Sequence, residues 1–431
     1  MKLNYKRTIL VGFAFFLISA FWQAYDTIVP LILTNKFHMQ QTYSGVIMSL
    51  DNIFAVVLLP IFGTLSDKTM TKFGKRTPYI TFGTVLAAFF LIILGFTPTL
   101  ILFIFVLLGC LLSMATFRSP AVALMPDVTV KPLRSKGNAI INLMGTAGGM
   151  LVLGFGIVFK TSTAGKTDFS LYLIAVSVLM IAALVVFLLT VNEPLWSREA
   201  DEENAKLDVE NAKKITKTTD GEKPVFGKLS KGELTSLVLI LASVALWYIG
   251  YNAITSKYSV YATEVLKVPY TVTLLVAQGA AIVSYVPVGI IASKFGRKKT
   301  ILAGVLMLTT AFATASFIKE GTTPIAMYLL FSLAGIGWAT INVNSFPMVV
   351  ELAKGGDVGK YTGFYYTASM TAQIVTPILS GFLVDQIGWQ IFFPYAAFFA
   401  GCAFITMLFV KHGDSKPEAQ DALEALAGAD D

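Results

Sequence analysis

The sequence predicts an all-α polytopic membrane protein, with twelve transmembrane helices in two pseudo-symmetric six-helix bundles. Three observations carry that expectation. The 431-residue chain has a mean hydropathy of +0.70 and only 14% charged residues, where soluble domains carry roughly 25%. Twelve apolar runs approach or exceed the length of about 20 residues that a bilayer-crossing helix needs: 8–33, 44–65, 78–98, 100–125, 138–159, 169–192, 235–256, 270–292, 299–318, 323–348, 361–383 and 388–410. One charged turn occurs twice, about half a chain apart, which is how an internal duplication shows itself.

The first copy of that turn is 60–80, PIFGTLSDKTMTKFGKRTPYI, which packs Asp67, Lys68, Lys72, Lys75 and Arg76 between two apolar runs. A short, charged, Gly-containing link cannot lie in hydrocarbon, so it is a tight turn at the membrane surface. Its basic excess assigns it to the cytoplasmic surface. The second copy is 287–301, PVGIIASKFGRKKTI, where Lys294-Phe295-Gly296-Arg297-Lys298 matches Lys72-Phe73-Gly74-Lys75-Arg76.

The net charge of +7 would suit nucleic acid, but its placement argues otherwise. Lys2, Lys6 and Arg7 precede the first run, which puts the N-terminus inside. Counting alternate loops, about 26 of the 33 basic residues then fall on the cytoplasmic side, as the positive-inside rule requires. A lipid bilayer accounts for the charge without a polyanionic partner. The expected location is the cell membrane, multi-pass, with both termini cytoplasmic and the chain a monomer. The first run is too long for a signal-peptide core and reads as a retained helix.

The first six runs end near Pro194, giving an N-terminal bundle over 1–194. Residues 195–232 are polar and mixed in sign, and read as a cytoplasmic tether with helical character over 198–214. The C-terminal bundle covers 233–411, and the acidic, Ala-rich 412–431 is expected to be a disordered tail. Cys110 and Cys402 both lie in apolar runs and read as small buried hydrophobes. The only histidines are His38 and His412, and no metalloprotease, phosphate-loop or nucleophile-elbow pattern is present, so an enzyme is not expected.

Six plus six runs, a linker between them and one turn repeated between the second and third run of each half resemble the major facilitator superfamily. The superfamily's signature, Gly-x-x-x-Asp-x-x-Gly-Arg-Lys/Arg, fits the second copy from Gly289 to Lys298 through Gly296 and Arg297, except that Ser293 replaces the acid. The first copy, Gly63 to Arg76, keeps Asp67 but has four extra residues before Gly74. That longer form, followed by Pro78, is similar to the glycoside–pentoside–hexuronide:cation symporter and sucrose transporter group. Pro120, Ala123, Leu124, Asp127, Asn138 and Gly148 match that group's next motif, but Val122 stands where the group has arginine. Arg118 lies one turn earlier on the same helix face. Ser345, Pro347, Gly363 and Gln373 fall where the group has them. The resemblance implies a transporter, with spans one, four, seven and ten lining a central cavity.

Asp26, Asp51 and Arg118 lie inside spans. A charge facing lipid costs several kcal/mol, so these side chains are expected in the bundle interior or a water-filled cavity. The plain alternative is an Asp–Arg pair that glues helices together. The functional reading makes Asp26 or Asp51 the proton site and Arg118 a counter-ion or substrate ligand, since a carboxyl moving between wet and dry surroundings exchanges its proton. Sodium is the second choice of coupling ion, as two acids supply some of the oxygens such a site needs. No other cofactor is implied. Sugar binding needs flat apolar faces and bidentate polar groups. Trp22, Tyr25 and Asp26 share one face of span one. Asn52 lies beside Asp51, and Asn138 and Asn142 lie on span five. Trp247, Tyr248, Tyr251 and Asn252 lie on span seven, Trp338 and Asn342 on span ten, and Gln373 on span eleven. For each of these, helix packing or the membrane interface is the competing explanation.

By resemblance, Asp67 faces the start of span eleven, near residue 360, in the outward-facing state. Arg76 can pair with Asp67 or Asp127 to form a latch, and the second half, with Ser293, should latch more weakly. Glycines 145, 148, 149, 154, 156, 335 and 337 read as points of close helix approach. Proton-coupled symport of a glycoside or oligosaccharide, sucrose- or maltose-like, by alternating access is the leading reading. The alternatives are a transporter of a drug, peptide or organic acid, a membrane enzyme, and a transport-inactive sensor.

Overall fold

The computed structural model describes residues 3–218, 230–353 and 358–413. Within them the chain forms thirteen α-helices and no strand. The N-terminal half holds α1 (Tyr5–Leu31), α2 (Gln41–Lys68), α3 (Thr77–Phe96), α4 (Leu100–Asp127), α5 (Arg134–Val158) and α6 (Ser170–Thr190). After α7 (Glu193–Thr218), the C-terminal half holds α8 (Lys231–Val260), α9 (Tyr270–Phe295), α10 (Arg297–Ala315), α11 (Pro324–Val350), α12 (Val358–Ile387) and α13 (Phe392–Leu408). Among the described residues, eleven helical stretches are long and apolar enough to cross a membrane. The twelfth of the bundle is α10. It has 19 residues and begins Arg297-Lys298-Lys299, which lowers its hydropathy, and it packs along α11 and α13.

The duplication extends beyond the repeated turn. The first helix of each half ends in one π-helical turn, Ile32–Lys36 after α1 and Tyr261–Val265 after α8. The next residues close in the same way: Met39 N–H donates to Leu33 C=O and Val268 N–H to Ala262 C=O, both at 2.9 Å. His38 and Lys267 follow those turns with φ of 50° and 57°.

The halves meet through α2 against α12, α1 against α8 and α5 against α9. On the face opposite α7 this contact is tight. A Cβ at Gly45 would lie 2.0 Å from Pro377 C=O, and one at Gly381 would lie 2.1 Å from Gln41 C=O, so only glycine lets α2 and α12 approach this closely. Asp385 on α12 caps the start of α2, accepting from Gln41 N–H at 2.8 Å and from Thr42 N–H and Oγ1 at 2.7 and 2.6 Å. Lys257 on α8, fully buried, donates to Gln41 C=O at 3.0 Å. Glu264 accepts from Asn35 Nδ2 at 2.8 Å and Gly165 N–H at 2.9 Å. Toward the α7 face the same helices diverge. Added Cβ atoms at Gly279, Gly359 and Gly363 would meet nothing within 4 Å, and Ile61, Leu65 and Phe364 are exposed.

Close approach accounts for most of the small residues. A Cβ at Gly145 or Gly148 would strike Ser19 or Phe16 of α1, at Gly156 Thr271 of α9, at Gly335 Ala277 of α9 and at Gly337 Gly304 of α10. Gly154 has open space around it, and Gly149 has only ordinary contacts. Cys110 is buried and Cys402 half-buried, and both are free.

The expected tether differs in its described part. α7 is longer at both ends than 198–214 and is docked on the N-terminal half. Arg7 pairs with Glu199 and lies over the Trp196 ring at 5.1 Å. Lys131 N–H donates to Asn204 Oδ1 at 2.8 Å, and its Nζ pairs with Asp208 at 2.8 Å. Trp196 and Ala200, both buried, supply the apolar side of this contact, which polarity averaged over 195–232 conceals. Residues 219–229 of the linker and 414–431 of the expected tail lie outside the described residues.

Candidate functional site between the two halves

A cavity of about 360 Å³ lies between the halves, within the roughly 300–1,000 Å³ typical of small-molecule sites. From α1 it takes Ser19, Trp22, Gln23, Asp26 and Thr27, because residues three and four apart share a helix face. α8 contributes Tyr251 and Thr255, α11 Gly335 and Trp338, α5 Gly145, Thr146 and Gly149, and α9 Ala277, Gln278, Ala281 and Tyr285 among others. The lining therefore comes from spans one, five, seven, eight and ten. Span four contributes no residue to the lining; its Arg118 guanidinium lies over the Trp22 ring at 5.4 Å, a cation–π distance.

Asp26, Asp51 and Arg118 are all half-buried rather than sealed, and each lies in the electrostatic field of the others. Among the described residues, Arg118 has no carboxylate within ion-pair distance, so the plain Asp–Arg glue is not formed here. Asp51 accepts instead from Asn52, its N–H at 2.6 Å and its Nδ2 at 2.8 Å. Asp26 alone of the three lines the cavity, with Asp51 and Arg118 behind the wall within electrostatic reach and the base unpaired at short range. Among the described residues no cluster of three or more His, Cys, Asp and Glu side chains forms, so a cation held here would draw on Asp26 and Asp51 as its charged ligands.

The aromatic residues divide into two groups. Tyr251 stacks flat on Trp338, centroids 3.6 Å apart at 4°, and Tyr248 meets the same indole edge-on at 5.2 Å. Trp22 and Tyr251 face the cavity from opposite halves. Tyr25 and Trp247 are fully buried, with Tyr25 packed edge-on against Trp22 at 5.3 Å. Asn138, Asn142, Asn252, Asn342 and Gln373 do not line the cavity. Asn142 is buried, and its amide atoms have no partner among the described residues.

Two polar residues that sequence reasoning passed over stand at the centre. Gln278 Nε2 on α9 donates to Gln23 Oε1 on α1 at 2.6 Å, joining the halves across the cavity. Gly149 sits beside both amides, with an added Cβ 3.4 and 3.7 Å from their Oε1 atoms. The available signal was an uncharged polar side chain in mid-span, Gln23 between Trp22 and Asp26, and Gln278 within LLVAQGAA.

The repeated turn forms its own site on the α7 face. Arg76 bonds to Asp67 and to Ser66 Oγ, and to Asp127 at 2.8 Å, so the two acids share one arginine. Burial works against its charge, but Asp127 and Asp67 outweigh that and push the Arg76 pKa up. The Asp67 carboxylate is 62% exposed, and residues 354–357, just before α12, lie outside the described residues. Glu193, another residue missed in the sequence, is buried under the turn. It accepts from Lys75, Arg76 and Thr77 N–H at 2.6, 2.9 and 2.8 Å and from Thr77 Oγ1 at 2.7 Å. A carboxylate is favoured there by the free N–H groups at the start of α3. Gly74 has φ of +110°, and a Cβ would lie 2.2 Å from the Glu193 carboxylate. Gly63 lets α2 approach Ser119, 2.8 Å from an added Cβ. In the second half Gly289 is buried within α9, and Gly296 turns with φ of +90° between α9 and α10. Arg297 pairs with Glu351 at the end of α11, at 2.7 Å. Glu351 thus stands where Asp127 stands in the first half, and with Ser293 in place of an acid Arg297 has, among the described residues, one acid partner where Arg76 has two.

Two like helical halves around a charged, aromatic cavity define a multi-pass membrane transporter of small molecules. The Major Facilitator Superfamily profile matches residues 11–343 and 270–428, and the chain belongs to that superfamily of transporters, which are not enzymes. It is 21% identical over 369 residues to putative transporter AmpG 1 of Rickettsia bellii, covering 82% of this chain and 85% of that protein. It is 30% identical over 162 residues, 36% of this chain and 37% of the relative, to chloramphenicol resistance protein CraA of Acinetobacter baumannii. Among solved structures, the xylose transporter XylE of E. coli superposes with a TM-score of 0.67 at 14% identity, over 98% of this chain and 99% of that one. A POT peptide transporter gives 0.68 at 14% identity, over 94% and 93%. These structures share the fold.

Proposed function

We propose that the chain is a proton-coupled symporter of a glycoside or oligosaccharide, working by alternating access about the central cavity. The observation that carries this reading is the cavity wall itself. Asp26 lies on it among Trp22, Tyr251 and Trp338, with Asp51 and Arg118 within electrostatic reach. Flat rings suit the C–H faces of a sugar, and the amides of Gln23 and Gln278 suit its hydroxyls. A carboxyl that water reaches from one side at a time carries a proton across. The basic residues favour the α7 face as the cytoplasmic one and the cell membrane as the site of action. The functional unit is a single chain, and sodium remains the second coupling ion.

A second reading, export of a non-sugar substrate, draws support from the CraA match and from Arg118, whose charge has no short-range partner and would suit an anionic group. Proteoliposome uptake with a sugar panel, under separately imposed pH and sodium gradients, tests both. Accumulation of one sugar driven by the pH gradient is the expected result. Indifference to every sugar, with pH-driven movement of an organic anion or drug, replaces the first reading by the second.

A further inference from the structure

A second groove lies away from the cavity, on the α7 face, between the start of α3 and the end of α6. Its volume is about 790 Å³. Phe82, Val85, Leu188 and Leu189 form its apolar walls, and all four are exposed. Lys72 also lines it. The α2–α3 loop above carries Met70 and Phe73, 86% and 60% exposed, and with the last residue of α2 it presents three lysines, Lys68, Lys72 and Lys75. Among the described residues none of these lysines has a carboxylate within 4.0 Å. The loop's own acid, Asp67, is taken by Arg76, and Glu193 is turned to the backbone N–H groups beneath. Lys72 Nζ lies only over the Phe73 ring, at 5.1 Å.

We propose that this groove binds an anionic phospholipid, with an acyl chain along its apolar walls and the phosphate on Lys72, flanked by Lys68 and Lys75. The two halves of the feature call for one molecule. A soluble anion would use the lysines and leave the wall bare, and a neutral lipid would use the wall and leave the lysines unmatched. An apolar tip flanked by lysines is also how a segment seats itself at an anionic membrane surface. The bound lipid would steady the loop that carries Asp67 and Arg76, so lipid composition would act on the latch.

Native mass spectrometry of the full chain, with phosphatidylglycerol or phosphatidylcholine added to the detergent, tests this. Phosphatidylglycerol should be retained preferentially. Lys72→Gln should lower that retention about fivefold, since each basic residue near an anionic surface contributes about 1 kcal/mol. Val85→Trp, which fills the groove, should lower retention of both lipids, and excess inorganic phosphate should leave the lipid bound. Equal retention of the two lipids, unchanged retention in Lys72→Gln and in the Lys68→Gln/Lys72→Gln/Lys75→Gln triple variant, or displacement by inorganic phosphate would overturn the proposal. Should Val85→Trp fail to fold, the triple variant, altered only on the loop and at the last residue of α2, decides the question.

Discussion

Asp26 and Asp51 differ in what holds them. Asp51 is satisfied by Asn52 next to it, whereas Asp26 opens onto the cavity beside Trp22. A carboxyl that must bind and release a proton needs access more than it needs fixed partners, so Asp26 is the better placed of the two. Asp26→Asn should abolish gradient-driven accumulation while leaving substrate exchange. If Asn variants of both acids still accumulate substrate, coupling lies elsewhere. Arg118 presents the converse case. Its charge is steadied by the Trp22 face and by two acids at a distance. Charge-assisted contacts are worth roughly 1.5–3 kcal/mol, so Arg118→Ala should weaken substrate binding about tenfold or more in an equilibrium binding assay. Unchanged affinity would reassign it to packing. Trp338→Ala should also weaken binding, because it removes the ring on which Tyr251 is stacked. Measured substrate affinity that survives this change would place the aromatic cluster outside the binding site.

Helices α2 and α12 show how an element-scale contact sets which face is closed. Their crossing combines two glycines pressed on backbone with an acid from one half capping a helix of the other. Such a contact forms or breaks as a unit, since a crossing this tight has no intermediate packing. A helix cap is worth about 1 kcal/mol, so Asp385→Ala should raise the population open on the face opposite α7 about fivefold. Labelling of a Gln278→Cys variant by an impermeant thiol reagent from that face would report the change, and unaltered labelling would show that Asp385 does not hold the closed state. Lys257 adds a buried hydrogen-bond donor to the same crossing. It lies just past the predicted run 235–256 and is drawn inward because α8 continues helically through residue 260 and on into the π turn.

At the scale of the whole molecule, the two halves are tied on one face and splayed on the other, and the Asp67–Arg76–Asp127 cluster lies on the splayed side. There Asp67 bonds to Arg76 within its own half and is otherwise exposed. The latch expected from the family resemblance has the same carboxylate meet the start of α12 in the alternative state. Asp67→Asn removes that favourable end of the exchange, so the population should shift further toward the state open on the α7 face. Distances between spin labels placed on α2 and α12 would measure it, and an unchanged distribution would refute the latch.

The sequence by itself determined the helical class, the spans, the duplication and the charged turn, because each depends on local chemistry. Apolar runs must be helical in lipid, charged Gly-containing turns must leave it, and repeats are visible as repeats. Several of the cavity residues were legible for the same reason: Trp22, Asp26, Tyr251 and Trp338 are costly or unusual in mid-span. Tertiary structure alone decided which helices face the void, that Tyr25 and Trp247 turn from it, that Gln23 and Gln278 meet across it, and that Glu193 and Glu351 complete the turns. Those outcomes depend on helix rotation and on partners more than fifty residues away or in the other half, and a one-dimensional pattern carries the cost of a buried polar group but not the identity of the group that meets it.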